Sequence, residues 1–249
     1  MLLTRCAWPV GLPVAIILIM WLRVVAGAQA PATPTQPASP PSPPAVQSPV
    51  LPPPAPVIMI DPAHGGTESG AVLAPDNLEK DVTLAFARRL QQDLIARGLQ
   101  ARLMRDSDTM LSTDQRASIA NATRSSLYVC VHATSQGTGL RIYTAMLPGS
   151  SDNRGAFVSW QTAQASSLPR SRSLQEQLTT AIQKTRFPIR SLAAPIRPLN
   201  NVLAPAIAVE IAPASGKVSQ LATADYQQMI SAVLANAIAG LRGRLESGQ

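Results

Sequence analysis

Residues 57–66 read Val-Ile-Met-Ile-Asp-Pro-Ala-His-Gly-Gly, and this stretch decides the fold class. Four apolar residues in a row are typical of a strand that is buried on both faces, and Asp61-Pro62 is expected to end it because proline cannot donate to a strand ladder. Two glycines beside His64 suit a backbone that approaches a ligand or a metal closely. The stretch therefore predicts a buried strand followed by a histidine at the edge of a sheet.

Beyond this stretch, helix and strand patterns alternate. An amphipathic helix is predicted by apolar residues at every fourth position before Gly98, namely Val82, Phe86, Leu90 and Leu94. Further strands are predicted at Leu99–Arg105, Leu127–Val131, Leu140–Met146 and Ala206–Ile211. Ser112 with Gln115 three residues later forms a capping-box pattern for another helix. A last amphipathic helix is predicted by Tyr226, Ile230, Val233, Ala237 and Leu241.

Strands separated by helices require crossover connections. We therefore expect an α/β fold with a mostly parallel or mixed central sheet of about five to six strands and helices on both faces. The less regular stretch from Pro148 to Leu168 is expected to be a loop or lid with one short helix.

Residues 1–30 have the layout of an export signal, since they contain no acidic residue, carry Arg5 ahead of a long apolar run and end in small residues. A membrane anchor is the alternative, because Arg23 follows a run of about the length that spans a bilayer. Residues 31–56 hold 12 of the 23 prolines and no charged or aromatic residue, so a disordered linker is expected there. A folded domain is expected over 57–249.

Charge and cysteine content narrow the choice of partners. The formal net charge is +7, and it falls to +5 once Arg5 and Arg23 leave with the leader. A basic surface attracts polyanions, but export argues against nucleic acid, and the chain has no basic patch interleaved with aromatic residues. We expect a monomer in the periplasm or elsewhere in the cell envelope.

Cys130, inside an apolar run, is expected to be a buried, inert thiol.

The chain has two histidines, His64 and His132, and each follows an apolar run that predicts a strand. Glu210 stands near the end of another such run. Ligands of open α/β sheets gather at the carboxyl ends of the strands, so these three side chains are expected at one edge. A charged group in such an apolar setting is costly unless a metal or a hydrogen-bond donor meets it.

Imidazole and carboxylate groups are typical zinc ligands, and a catalytic zinc site has three protein ligands with one position open to water. Two histidines need an acid to complete the set, and Glu79, at the start of a predicted helix, is the candidate. Spacing alone leaves an alternative, in which Asp76 and Glu79 form a capping box. The alternatives for the other residues are hydrogen-bonded structural histidines and, for Glu210, a salt bridge to an arginine.

Several short motifs, taken in order, resemble those of the zinc-dependent N-acetylmuramoyl-L-alanine amidases, often called type 3 amidases. They are Asp61-Pro62-Ala63-His64-Gly65-Gly66, Glu79-Lys80-Asp81-Val82, Arg105-Asp106-Ser107-Asp108, Arg116 with Ala120-Asn121, Val131-His132-Ala133, Pro205-Ala206 and Val209-Glu210-Ile211. The resemblance spans Val57 to the C-terminus and implies an amidase catalytic domain over 57–249. It implies that His64, Glu79 and His132 bind Zn²⁺ and that Glu210 is the catalytic acid/base.

The implied reaction is hydrolysis of the amide bond between N-acetylmuramic acid and L-alanine in peptidoglycan. Departures from the family pattern occur at Ala63, Thr134 and 212–215, and they put substrate preference in question more than catalysis. Some periplasmic members carry a helix that blocks the zinc until an activator protein removes it, but Asp152 is the one acid between Pro148 and Leu168, so no clear plug is predicted. Two alternatives are a catalytically silent cell-wall-binding or regulatory domain and a zinc peptidase that cuts another stem-peptide bond.

Overall fold

The computed structural model of the chain describes residues 55–148 and 160–247. The predicted export signal or anchor and nearly all of the predicted linker lie outside these residues, as do residues 149–159 of the predicted loop. Among the described helices, none combines the length and the apolar character that crossing a membrane requires.

Strands and helices alternate along the described residues. The strands are β1 (Val57–Pro62), β2 (Val72–Ala74), β3 (Asn77–Leu78), β4 (Gln100–Leu103), β5 (Leu127–Ala133), β6 (Gly139–Ala145), β7 (Ile189–Ala194) and β8 (Ala206–Ala212). The α-helices are α1 (Glu79–Ala96), α2 (Thr113–Thr123), α3 (Leu168–Gln183), α4 (Ala224–Ala239) and α5 (Arg242–Glu246). Short 3-10 helices occupy Trp160–Ser166, Leu199–Asn201 and Val218–Ala222.

Six strands form one mixed sheet in the order β4-β1-β5-β8-β6-β7, and β2 and β3 form a separate two-stranded hairpin. Neighbouring strands of the large sheet run parallel except for β6 and β8, which are antiparallel. The predicted α/β fold with a mixed sheet is confirmed. β6 and β7 therefore run against the other four strands.

Helices cover both faces of this sheet, as predicted. On one face α1, α3 and α4 pack over the larger apolar core, which includes Phe86, Leu178 and Ile230. On the other face α2 and the 3-10 helix Leu199–Asn201 cover a smaller core around Tyr128. Cys130 is buried in this smaller core, as expected.

Most predicted elements are present, with differences at their ends. The strand predicted to stop before Asp61 continues through Pro62, which pairs with Val131. The predicted capping box begins α2, because the Ser112 hydroxyl accepts from the Gln115 N–H and the Gln115 side chain accepts from the Ser112 N–H. Helix α3, strand β7 and the β2–β3 hairpin were not predicted from the sequence.

Candidate metal centre

Strands β5 and β8, the loop after β1 and the first residue of α1 place the four candidate residues. His64 lies two residues beyond β1 and has a φ of 63°, in the left-handed region. His132 is the next-to-last residue of β5, so it stands inside the strand and not after it as predicted. Glu210 of β8 is the register partner of His132 in the parallel β5–β8 pair, so both side chains leave the same face of the sheet.

Three of these residues form a tight cluster. One nitrogen or oxygen atom from each of His64, Glu79 and His132 lies within 4.8 Å of the other two. The Glu79 carboxylate stands between the rings, with Oε2 3.2 Å from His64 Nε2 and Oε1 2.9 Å from His132 Nδ1. The ring centroids are 5.5 Å apart, and the rings are nearly perpendicular.

Glu79 does not cap its helix. It is the first residue of α1, whose N-cap residue Leu78 makes no side-chain capping hydrogen bond. Its two oxygens instead accept from the backbone N–H groups of Ala71, at 3.0 Å, and Ala133, at 3.2 Å. The capping box with Asp76 is therefore wrong, and Glu79 is turned toward both histidines.

The surroundings keep Glu79 ionised. Burial opposes the charged carboxylate, but hydrogen bonds with His132 and His64 and from the Ala71 N–H outweigh it and hold the pKa of Glu79 well below its usual range. Burial also opposes a charged His132 ring, yet its neighbours Cys130 and Glu79 raise the pKa of His132 well above its ordinary value. The cluster is strongly polar although it is largely buried.

Gly70 closes the cluster from the loop side, and sequence analysis did not single it out. Its φ is +68°, and a Cβ at this position would stand 2.6 Å from His64 Cδ2 and 2.7 Å from Glu79 Oε2. Such contacts leave no room for any side chain. The signal in the sequence was the third glycine within seven residues of His64, next to the small hairpin that leads to Glu79.

Two buried arginines hold the loop that carries His64. Arg105 donates to the carbonyls of Pro62 and Ala63, at 3.0 Å each. Arg116 donates to the carbonyl of Pro62 at 2.9 Å and to that of His64 at 2.6 Å. Because the carbonyls on both sides of the turn are bound, the backbone at His64 is fixed independently of its ring.

Arg116 also binds a buried acid beneath the loop. The carboxylate of Asp61 is fully buried and accepts hydrogen bonds from Arg116 and from the Tyr128 hydroxyl. Burial raises the pKa of Asp61, although Arg116 and Tyr128 act in the opposite direction. The aspartate at the end of β1 therefore anchors Arg116, and Arg116 anchors the histidine loop.

Glu210 forms the salt bridge that was the alternative to a catalytic role. Arg141 Nη1 donates to Glu210 Oε2 at 2.5 Å, and the Tyr143 hydroxyl donates to the same oxygen at 3.0 Å. The other oxygen, Oε1, accepts no hydrogen bond from the residues in 55–148 and 160–247. The side chain of Glu210 keeps 23% of its surface exposed and lines a cavity of about 280 Å³ together with His132.

The residues fit a divalent metal. Nδ1 of His64 is buried and, within the described residues, has no hydrogen-bond partner, although Glu68 Oε1 lies 3.5 Å away. Two imidazoles and one carboxylate are a donor set that zinc accepts. A second cavity of about 120 Å³ reaches the cluster and is lined by His64, Glu68 and His132. The ligand roles of these residues stay predictions.

Fold and cluster together define an α/β domain with a candidate metal centre where its parallel strands end. The sequence model of the N-acetylmuramoyl-L-alanine amidase family matches residues 58–240. The chain belongs to this family, and the resemblance drawn from the motifs is confirmed.

Relatives and solved structures agree with this assignment. The chain is 33% identical over 117 residues to N-acetylmuramoyl-L-alanine amidase AmiC of Escherichia coli O6:H1, covering 45% of this chain and 28% of that protein. It is 30% identical over 107 residues to AmiA of Escherichia coli K12, covering 41% and 37%. The matches therefore span about a third of these relatives' lengths. The structure of amidase AmiC2 of Nostoc punctiforme superposes with a TM-score of 0.58 and 25% identity, covering 74% of this chain and 96% of that one.

Proposed function

We propose that the domain is a zinc-dependent peptidoglycan amidase that hydrolyses the bond between N-acetylmuramic acid and L-alanine. The observation that carries the proposal is the approach of His64, Glu79 and His132 to within 4.8 Å of one another, beside a cavity that His132 shares with Glu210. Family membership supports the class of reaction and of substrate.

Zinc is the metal that this donor set favours. Imidazole nitrogen suits zinc, and a single carboxylate with no further oxygen ligands is a poor site for calcium or magnesium. When bound, zinc supplies a Lewis acid that acidifies water and polarises a carbonyl group. His64, Glu79 and His132 would hold it, and Arg105 and Arg116 keep the His64 loop in place for this role.

Glu210 is proposed as the general base and acid. Arg141 and Tyr143 hold Oε2, so Oε1 is the oxygen available to take a proton from the attacking water. Water adds its hydroxide to the amide carbon, the carbon–nitrogen bond breaks, and Glu210 returns the proton to the leaving amine. The products are the lactyl carboxylic acid of the sugar and a peptide with a free L-alanine amino group.

A second candidate, a cell-wall-binding domain without catalysis, is favoured by one observation. The Arg141–Glu210 salt bridge is what a purely structural glutamate would make. The free Oε1 and the exposed part of the side chain weigh against this candidate, because a structural pair gains nothing from leaving one oxygen unbound beside a cavity.

A digest of purified peptidoglycan tests the proposal. The protein is incubated with cell-wall sacculi with and without a strong zinc chelator, and soluble products are analysed by mass spectrometry. We expect stem peptides that begin with a free L-alanine, and their disappearance with the chelator. Release of peptides cut at another bond supports a stem peptidase instead, and no release at any metal concentration supports the silent binding domain.

Peptidoglycan lies outside the cytoplasm, so this function requires export. We therefore keep the export signal or anchor over residues 1–30 as part of the proposal, together with the linker that follows it.

A further inference from the structure

A short ridge, Pro195–Pro198, borders the candidate metal centre on its open side. Ile196 lines the cavity that His132 and Glu210 share. Arg197 and Pro198 line the adjoining cavity that contains His64 and Glu68. Arg197, with Pro195, also lines a third cavity of about 350 Å³ next to Met146 and Leu147. Arg197 thus stands where the metal-centre cavity meets a larger groove.

The ridge is anchored in the protein. Pro198 is buried, and Leu199, which follows it, has no exposed surface. The Asn121 side chain clamps the next turn, since it donates to the Asn201 carbonyl at 3.0 Å and accepts from the Leu203 N–H at 2.7 Å. Arg197 therefore projects from a fixed backbone.

The guanidinium of Arg197 has no partner among the described residues. The residue is exposed and makes no hydrogen bond or ion pair with any residue in the two described ranges. The other arginines near the site differ, because Arg105 and Arg116 bind carbonyls and Arg141 binds Glu210. Glu68 lines the same cavity as Arg197, but its carboxylate approaches His64 Nδ1.

We propose that Arg197 binds a carboxylate of the substrate, and that this carboxylate belongs to the residue after L-alanine in the stem peptide. This inference rests on the proposed function. A guanidinium pairs with a carboxylate through two parallel hydrogen bonds, which gives geometric selectivity as well as attraction. Stem peptides carry this carboxylate either free or amidated, and Arg197 selects the free form. The peptide then runs from the metal centre past Arg197 toward the groove beside Met146.

Two matched substrates test the inference. They are soluble muropeptides that are identical except that the residue after L-alanine carries a free α-carboxylate or its amide. We expect the native protein to cleave the free acid about 10–100 times more efficiently in kcat/KM, as befits one charge-assisted hydrogen-bonded pair. Arg197→Gln loses most of this factor on the free acid through a higher KM, and changes by less than about 3-fold on the amide.

Two further variants complete the test. Arg197→Lys retains the positive charge but lacks the two parallel N–H donors of a guanidinium. We expect it to recover part of the preference for the free acid. Arg102→Gln removes an exposed arginine from β4, at the other edge of the sheet, and is expected to leave both rates unchanged. Thermal unfolding confirms that each variant folds.

Three outcomes would overturn the inference. If the native protein cleaves both substrates with equal efficiency, or if Arg197→Gln lowers both rates by the same factor, Arg197 does not read this carboxylate, while the proposed amidase function stands. If the native protein with zinc cleaves neither these substrates nor intact peptidoglycan, the proposed function fails and the inference falls with it.

Discussion

Gly70 is the residue whose replacement tests the packing of the metal centre most cleanly. Gly70→Ala would push a methyl group against His64 and Glu79, so we expect about 10–100-fold weaker zinc binding, the usual effect of disturbing groups that orient metal ligands. Titration with a competing fluorescent zinc indicator measures the affinity.

Gly216→Ala is the matched control for Gly70→Ala. Its φ is +73°, close to that of Gly70, but nothing lies within 4 Å of the added methyl group. It therefore carries the same backbone strain without the contacts. Equal zinc affinities in the two variants would show that Gly70 does not shape the site.

Glu210→Gln separates catalysis from metal binding. The amide keeps a carbonyl oxygen that can accept from Arg141 and Tyr143, so we expect the fold and the zinc content to persist. It cannot take up a proton, so kcat should fall by about 10²–10⁴. Release of soluble peptide from sacculi measures the rate, with Glu176→Gln, an exposed position on α3, as the control. A rate within about 3-fold of the native value would remove Glu210 from the role of base.

Sequence patterns identified three of the four candidate residues because each is a rare polar group beside an apolar run. These three are His64, His132 and Glu210. Spacing left the capping alternative open for Glu79, the family resemblance favoured the role of metal ligand, and the contacts in the structure exclude the cap. Gly70 and Arg141 were not identified in this way. Their importance comes from what lies opposite them in space, and this becomes visible only when the strands are assembled.

At the scale of elements, Arg116 of α2 links this helix to the end of β1 and to the loop that carries His64. Arg116→Met would leave the buried Asp61 carboxylate without its charged partner and would remove the hydrogen bonds that Arg116 donates to the carbonyls of Pro62 and His64. Breaking a buried pair in this way costs about 3–5 kcal/mol of folding free energy. Urea unfolding of the metal-free protein measures the loss.

The control for this variant is Arg102→Met, which removes an exposed arginine from edge strand β4. We expect its free energy of unfolding to change by less than about 0.5 kcal/mol. If Arg116→Met behaves like the control, the pair with Asp61 does not stabilise the loop.

The central strands and edge strand β4 were predictable from their apolar residues, whereas edge strand β7 was not. The strands β1, β5 and β8 each begin with at least four consecutive apolar residues, as is typical of strands buried on both faces of a sheet. β7 lies at the edge of the sheet with four consecutive exposed residues, so it lacks an apolar pattern. Helix α3 did carry a signal, because Leu174, Leu178 and Ile182 recur every four residues and are all buried.

At the scale of the whole molecule, the pattern of apolar residues does not predict the direction in which β6 and β7 run. A strand buries the same residues whether it is parallel or antiparallel to its neighbour. Connection length was the usable signal. Five residues separate β5 from β6, and a parallel return would need a crossover of about a dozen residues. The short connection therefore favours a reversed β6, and β7 follows it in parallel after the crossover through α3.

Metal binding is expected to stabilise the whole domain, because the proposed ligands come from the loop after β1, from α1 and from β5. A ligand at about 100 times its Kd adds about 2.7 kcal/mol to the free energy of unfolding. For a domain of this size we expect the Tm to rise by about 5–10 °C when zinc is added to chelator-treated protein. Differential scanning calorimetry measures the shift, and an unchanged Tm would contradict tight binding to the folded state.

The most direct test of the central claim is the zinc content of the purified protein, measured by mass spectrometry of the element after dialysis. We predict one zinc per chain in the native protein and in Glu210→Gln, and loss of nearly all of it in His132→Ala. A native protein that neither contains nor takes up zinc, or a His132→Ala variant that retains it in full, would contradict the claim that His64, Glu79 and His132 form the metal site.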